Sequence, residues 1–227
     1  MTSTLLPSII RQATKSHTAS VIFLHGLGDS GNGWAPVADQ IKAQFPHIKF
    51  IFPNAPNQPV TLNGGMSMPS WYDITSLSDL EEHQDKAGML ASVQKVNKLI
   101  QNEIDIGINP NRIVIGGFSQ GCVVSLLTAL TSEYQFAGVV SFSGYLPIVK
   151  QVFNMATDSS KKAPILWCHG EQDEVVNYKY GLLSKEALTK NKYNVEFHSF
   201  PNMGHSACQE EIMILTQFLR RVVPENI

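Results

Sequence analysis

Between Arg112 and Leu130 the chain runs from a β-branched stretch, Arg112-Ile-Val-Ile-Gly, through Gly117-Phe118-Ser119-Gln120-Gly121 into a segment that is apolar nearly all round. That order reads as strand, tight turn, helix, and few folds accommodate it. A turn so sharp requires the residues two before and two after Ser119 to lack side chains, and both are glycine. A helix apolar on every side, Gln120 to Leu130, has to be packed in the middle of the molecule. The turn also predicts an exposed Ser119 Oγ at the carboxyl end of a sheet, with free N–H groups of a helix N-terminus beneath it.

The rest of the chain repeats the alternation. Val21-Ile-Phe-Leu, Ile48-Lys-Phe-Ile-Phe (ended by Pro53), Phe136-Ala-Gly-Val-Val-Ser-Phe, Ile165-Leu-Trp-Cys and Val195-Glu-Phe-His-Ser-Phe read as further strands. They are apolar without clean alternation, as strands buried on both faces of a parallel sheet are. Met89, Val93, Val96, Leu99, Ile100 and Ile104 mark one face of a helix ending near Gly107. Cys208, Ile212, Leu215, Phe218, Leu219 and Val222 mark the face of a last helix before Pro224. The pattern predicts an α/β fold, a mostly parallel central sheet with helices on both faces. No repeat or linker interrupts residues 1–227, so one domain is expected, large enough to bury roughly 70–75% of its unfolded surface. Residues 53–86 break the pattern, as a long connection rich in Pro, Asn, Gly and Ser with apolar residues threaded through it. It is expected either to cover a sheet edge or to form the wall of an apolar groove.

Composition removes several function classes. Lys and Arg number 17 against 19 Asp and Glu, with no charge runs, so no nucleic-acid partner is expected. The start is broken by Pro7 and lacks a basic leader, and no apolar stretch nears the roughly 20 residues of a membrane span. Three cysteines, Cys122, Cys168 and Cys208, lack metal-ligand spacing and read as reduced thiols of a cytoplasmic protein. No metal and no cofactor are expected.

A serine hydroxyl is a weak nucleophile until a base takes its proton, and the base needs an orienting carboxylate. After a turn of this kind the expected chain order is Ser, then acid, then His, each on a loop that follows a strand. His205 follows Val195–Phe200 and precedes the last helix. His198 falls within that strand, and His169 comes before the best acid. Asp173 follows Ile165–Cys168 directly, with Glu171 as the alternative two residues nearer the strand. The glycine-rich loop His25-Gly26-Leu27-Gly28-Asp29 follows Val21–Leu24 and supplies a second donor. The N–H groups of Leu27 and Gln120 are the candidate oxyanion pair. Gly26 to Gly31 matches a bare G-x-G-x-x-G, but no acidic residue ends the next strand, and the Gly-Lys-Ser/Thr of a phosphate loop is missing. His25 reads as a brace of this loop, with a role as base or metal ligand as the alternative.

With these groups in place, the chain resembles the acyl-protein thioesterase and lysophospholipase-type carboxylesterase family of α/β-hydrolases, most of all its eukaryotic cytosolic members. The resemblance spans nearly the whole chain. It rests on Phe23-Leu-His-Gly-Leu-Gly-Asp, Gly33-Trp34, Pro53-Asn-Ala-Pro, Met68-Pro-Ser-Trp-Tyr-Asp, Gly116-Gly-Phe-Ser-Gln-Gly, Cys168-His-Gly and Gly204-His-Ser. It implies an α/β-hydrolase fold and a serine hydrolase that removes palmitate from S-acylated protein cysteines, with side activity on lysophospholipids and small esters. It implies Ser119 as nucleophile, Asp173 as acid, His205 as base, and Leu27 and Gln120 as oxyanion donors. It also implies an acyl groove beside residues 53–86, with Leu62, Met66, Trp71, Ile74, Leu77 and Tyr145 touching substrate. Palmitoylated proteins as partners, at most transient membrane contact, a weak homodimer and a cytoplasmic location (the nucleus included) are the further expectations. Three departures from the family stand out: Thr2 where some members carry an acylated cysteine, Glu174 where proline is common, and Tyr145 where tryptophan is often found.

Overall fold

The alternation of apolar residues along each strand sorts side chains to two opposite faces, and each face has its own helices. The computed structural model describes residues 5–77 and 84–225. In chain order the strands are β1 (Ser8–Arg11), β2 (Ala19–Leu24), β3 (Ile48–Pro53), β4 (Asn57–Val60), β5 (Met66–Pro69), β6 (Ile113–Phe118), β7 (Gly138–Phe142), β8 (Ile165–Gly170) and β9 (Val195–Phe200). The helices are α1 (Gly31–Ile41), α2 (Lys86–Asp105), α3 (Gln120–Thr131), α4 (Val149–Met155), α5 (Tyr178–Lys190) and α6 (Gln209–Val222). Among the described residues, seven strands form one sheet in the order β1-β3-β2-β6-β7-β8-β9. Every neighbour pairs in parallel except β1, which runs antiparallel to β3.

Ile22, Leu24, Ile113, Ile115, Val139, Ile165 and Trp167 point to the face covered by α2, α3, α4 and α5. Their neighbours Val21, Phe23, Val114, Val140, Phe142 and Leu166 point to the other face, against Trp34, Ala35 and Ala38 of α1 and Ile212, Leu215, Phe218 and Leu219 of α6. Each such fully buried large side chain contributes about 1.5–3 kcal/mol relative to exposure. Helix α3 is buried from Gln120 to Leu130, as its apolar circumference predicts. This is the α/β-hydrolase arrangement, a mostly parallel sheet with helices on both faces.

The sheet grows outward in both directions from the β2–β6 pair, since β2 leads to β3 on one side and β6 to β7 on the other. Loops leaving adjacent strands in opposite directions open a crevice at their carboxyl ends, where ligands bind in open α/β sheets. The loop after β2 begins at His25, and the turn after β6 holds Ser119.

Two parts of the fold differ from the sequence reading. Strand β1 escapes it, being four residues long and paired antiparallel at the sheet edge. The connection at 53–86 is not structureless, because β4 and β5 form an antiparallel hairpin within it. Its turn depends on Gly64 and Gly65 at φ +66° and +80°, a backbone conformation that favours glycine. Asp73 then anchors the hairpin, accepting from Thr61 N–H at 2.7 Å and Thr61 Oγ1 at 2.6 Å. Positions 78–83 of that segment lie outside the described residues.

Candidate active site

Ser119 sits at φ +53°, in the left-handed region, at the junction of β6 and α3. A side chain at Gly117 would overlap the Gly121 backbone, and one at Gly121 would overlap the carbonyls of Leu24 and His25. The glycine spacing is therefore steric: β2, β6 and α3 meet too closely for a Cβ at either place. Ser119 N–H donates to Phe142 O at 2.9 Å, which ties the turn to the neighbouring strand β7.

His205 reaches this serine from the loop between β9 and α6. Ser119 Oγ donates to His205 Nε2 at 2.9 Å, and His205 Nδ1–H donates to Asp173 Oδ2 at 2.7 Å. A carboxylate only accepts, so Nδ1 carries the proton and Nε2 is free to accept the serine's. The Phe118 ring lies 4.7 Å from the imidazole, centroid to centroid, and backs it. Asp173 is 2% exposed. Its Oδ1 accepts from the N–H groups of Val175 and Val176 at 2.9 and 2.8 Å. Burial alone would raise the Asp173 pKa. Hydrogen bonds from His169, His205 and Val176, with the His205 charge, outweigh it and hold the carboxyl well below its usual range. Glu171, the alternative acid, is exposed.

The loop after β2 closes over the serine. A Cβ at Gly26 would lie 3.4 Å from Ser119 Cβ, so the loop approaches the serine closely. Gly28, at φ +76°, turns the chain, and its N–H donates to Pro69 O at 2.8 Å. Leu27 stands between them, half-buried, while Gln120 opens α3, where first-turn N–H groups lack intrahelical acceptors. His25 is wholly buried. Its Nδ1 donates to Gly26 O at 2.6 Å and its Nε2 accepts from Ala55 N–H at 3.0 Å. Both nitrogens are occupied in bracing the loop, and burial lowers its pKa. Among the described residues no group of three or more His, Cys, Asp or Glu is placed to hold a metal ion.

The six residues assigned to substrate contact are not all available for it. Trp71 is 1% exposed, and its indole Nε1–H donates to His25 O at 2.8 Å. It supports the loop from beneath and presents no surface to an acyl chain, which corrects that assignment. Its position follows from packing: the ring lies in the core with Met89, Val93 and Cys122. Leu62 and Met66 lie on the hairpin segment, 37% and 65% exposed. Ile74 and Leu77 are half-buried against the α2–α5 core. Tyr145 is buried, with its hydroxyl 3.0 Å from that of Tyr72, and lines the inner end of a groove of about 280 Å³ between α4 and α5.

Two contributors lie outside the sequence reading. The Gln120 side chain accepts from Trp71 N–H at 2.8 Å and donates to Tyr72 O at 2.6 Å. His169, passed over as a base because of chain order, lies beneath Asp173. The residue type adjoining the serine was legible as a backbone donor. Nothing local shows that its amide reaches a segment about fifty positions away.

The sequence matches the profile of a family described as phospholipase/carboxylesterase over residues 7–223. It is 44% identical over 223 residues to a Yarrowia lipolytica protein named acyl-protein thioesterase 1, covering 96% of this chain and 98% of that one. The crystal structure of Arabidopsis thaliana SOBER1 superposes with a TM-score of 0.86 at 32% identity, covering 91% of this chain and 99% of that one. Zea mays acyl-protein thioesterase 2 does so with a TM-score of 0.84 at 32% identity, covering 96% and 99%.

Proposed function

We propose that this chain, which belongs to the phospholipase/carboxylesterase family and is a serine hydrolase of acyl ester and thioester substrates, removes long acyl chains such as palmitate from protein cysteines. The observation that carries the reading is the line of hydrogen bonds from Ser119 through His205 to Asp173, at a turn closed over by the Gly26 loop. Similarity to proteins named acyl-protein thioesterase supports the thioester as its substrate.

In the first step Ser119 Oγ attacks the thioester carbonyl carbon and its proton passes to His205 Nε2, while Asp173 stabilises the imidazolium. The carbonyl oxygen becomes an oxyanion that takes the N–H groups of Leu27 and Gln120, each such donor worth about 3–4 kcal/mol in the barrier. The C–S bond breaks and the thiolate leaves with the His205 proton. In the second step His205 takes a proton from water, whose oxygen attacks the acyl-serine; the proton returns to Ser119 Oγ and the fatty acid departs. Burial of the chain contributes about 0.8 kcal/mol per CH₂.

These groups contain nothing that distinguishes a sulfur from an oxygen leaving atom. A broad carboxylesterase or lysophospholipase without protein substrates is accordingly the second reading. Thiol release from a palmitoylated-cysteine peptide, set against alcohol release from its oxyester twin, separates the two with Ser119→Ala as control. A clear Ser119-dependent preference for the thioester is expected; equal rates on both would sink the protein-thioesterase reading. We also place the chain's work in the cytoplasm, a reading that the free thiols of Cys122, Cys168 and Cys208 support and cell fractionation tests.

A further inference from the structure

Asp173 is approached by a second histidine for which the reaction above has no use. His169, in β8 and wholly buried, places Nε2 2.8 Å from Val176 O and 3.4 Å from Asp173 Oδ2. Both neighbours are acceptors, so Nε2 carries a proton. Its Nδ1 lies 3.5 Å from Trp167 Nε1–H, a donor, which selects the neutral tautomer protonated on Nε2. The ring has no room to turn. Helix α5 passes it with a glycine, Gly181, whose Cβ would stand 2.6 Å from Nδ1, and the Tyr178 ring meets it edge-on at 5.7 Å.

We propose that His169 is a positioning residue: its fixed Nε2–H, bonded to Val176 O and standing 3.4 Å from Asp173 Oδ2, holds the 173–176 turn so that Oδ2 faces His205. The inference rests on reading Ser119, His205 and Asp173 as the reacting triad. The carboxylate has four N–H groups around it. Val175 and Val176 serve Oδ1, and His205 and His169 share Oδ2. Three of the four stay within the turn or the underlying strand, and together they set the orientation of the carboxylate plane. Without His169, Val176 O loses its donor in a buried place and Oδ2 loses its polar neighbour on one side, and the turn is free to relax. Such a relaxation acts on the base through the acid, with no contact between His169 and substrate.

The test is the pH dependence of kcat and kcat/KM on a short-chain p-nitrophenyl ester, for wild type, His169→Leu, His169→Gln and Ser119→Ala. Leucine fills the space without a donor, whereas the glutamine amide keeps an N–H near the place of Nε2. In His169→Leu we expect kcat to fall about 10- to 100-fold, the range for a reacting group misplaced by up to 1 Å, with KM nearly unchanged. The acid limb of kcat/KM should move as well, because Asp173 Oδ2 no longer faces the imidazole squarely. His169→Gln should recover most of both. A folded His169→Leu enzyme with unchanged kcat and acid limb overturns the proposal, as does equal loss in the leucine and glutamine variants. Activity surviving in Ser119→Ala breaks the triad reading itself, whereas an inert Ser119→Ala beside an unaffected His169→Leu breaks only this inference. If His169→Leu does not fold, Gly181→Ala, which pushes on the ring while leaving the imidazole in place, is expected to shift the same limb; an unmoved limb there overturns the proposal.

Discussion

The main-chain N–H of Trp71 donates to the side-chain Oε1 of Gln120 at 2.8 Å. The residue next to Ser119 therefore supports, with its amide, the segment on which the Trp71 indole holds the carbonyl of His25. Gln120 opens α3 directly after the turn that follows β6, and His25 begins the loop after β2; these are the two loops that flank the crevice between β2 and β6. A single buried tripeptide, Ser70 to Tyr72, keeps those loops at a fixed separation, and Ser92 of α2 clamps it from below through the Trp71 carbonyl.

Replacing Gln120 by Leu leaves Trp71 N–H unpaired in the interior, while Tyr72 O keeps the Ser70 hydroxyl as a donor at 2.6 Å. An orphaned buried group costs about 1–3 kcal/mol, and a loss of that size is expected in urea denaturation. The kcat on a small ester should fall as well, since the Gly26 loop is no longer held to Ser119. A stability equal to wild type would show that the pin is idle.

Asp173→Asn keeps the shape of the acid but not its charge, and its amide favours the wrong His205 tautomer. A loss of about 10⁴-fold in kcat is expected, with KM little changed. Ser119→Ala should abolish labelling by a fluorophosphonate probe, which active-site mass spectrometry reads directly.

Ser119 is held at φ +53°, which costs a non-glycine residue about 1–3 kcal/mol. Ser119→Gly should accordingly be more stable than Ser119→Ala in thermal melts, although both are inactive. Gly121→Ala, by contrast, forces a methyl into the carbonyls of Leu24 and His25 and should leave little folded protein. Equal melting of the glycine and alanine variants at 119 would mean the turn is unstrained.

Glu211, wholly buried in the first turn of α6, accepts from Cys208 N–H at 2.9 Å through one oxygen, while the other has no partner among the described residues. Burial pushes its pKa up to about 7 from 4.5. The folded state then binds more protons than the unfolded between about pH 4.5 and 7, so this group lowers stability as pH rises through that window. The full effect is on the order of 3 kcal/mol. Glu211→Gln should raise Tm by a few degrees at pH 8 and change it little at pH 5. A gain of the same size at both pH values would remove ionisation as the cause.

The parallel core of this fold is legible in the sequence because it is encoded locally. Strands such as Ile113–Phe118 are apolar on both faces, and α3 is apolar around its whole circumference, so each announces burial within a dozen residues. The chain order Ser119, Asp173, His205 is legible for a similar reason, as each residue follows a strand and the glycines around Ser119 answer a steric need of the turn itself. Elements that depend on partners are not legible. Helix α1 carries two glycines and Pro36 and forms by laying Trp34, Ala35 and Ala38 on the sheet. The hairpin β4–β5 has strands of four residues, each carrying a proline and mostly exposed or half-buried, so no hydrophobic run long enough to read marks it.

Tertiary structure alone decided what meets what. Ser119 and His205 are 86 positions apart, Asp173 and His205 are 32 apart, and Trp71 and Gln120 are 49 apart, yet each pair lies within hydrogen-bond distance. The same packing took Trp71 out of any groove and made it a support, and it turned His169 from a misplaced base into a neighbour of the acid. Periodicity and turn chemistry act over one element at a time, whereas these contacts depend on how the sheet orders its strands and how closely helices press on it.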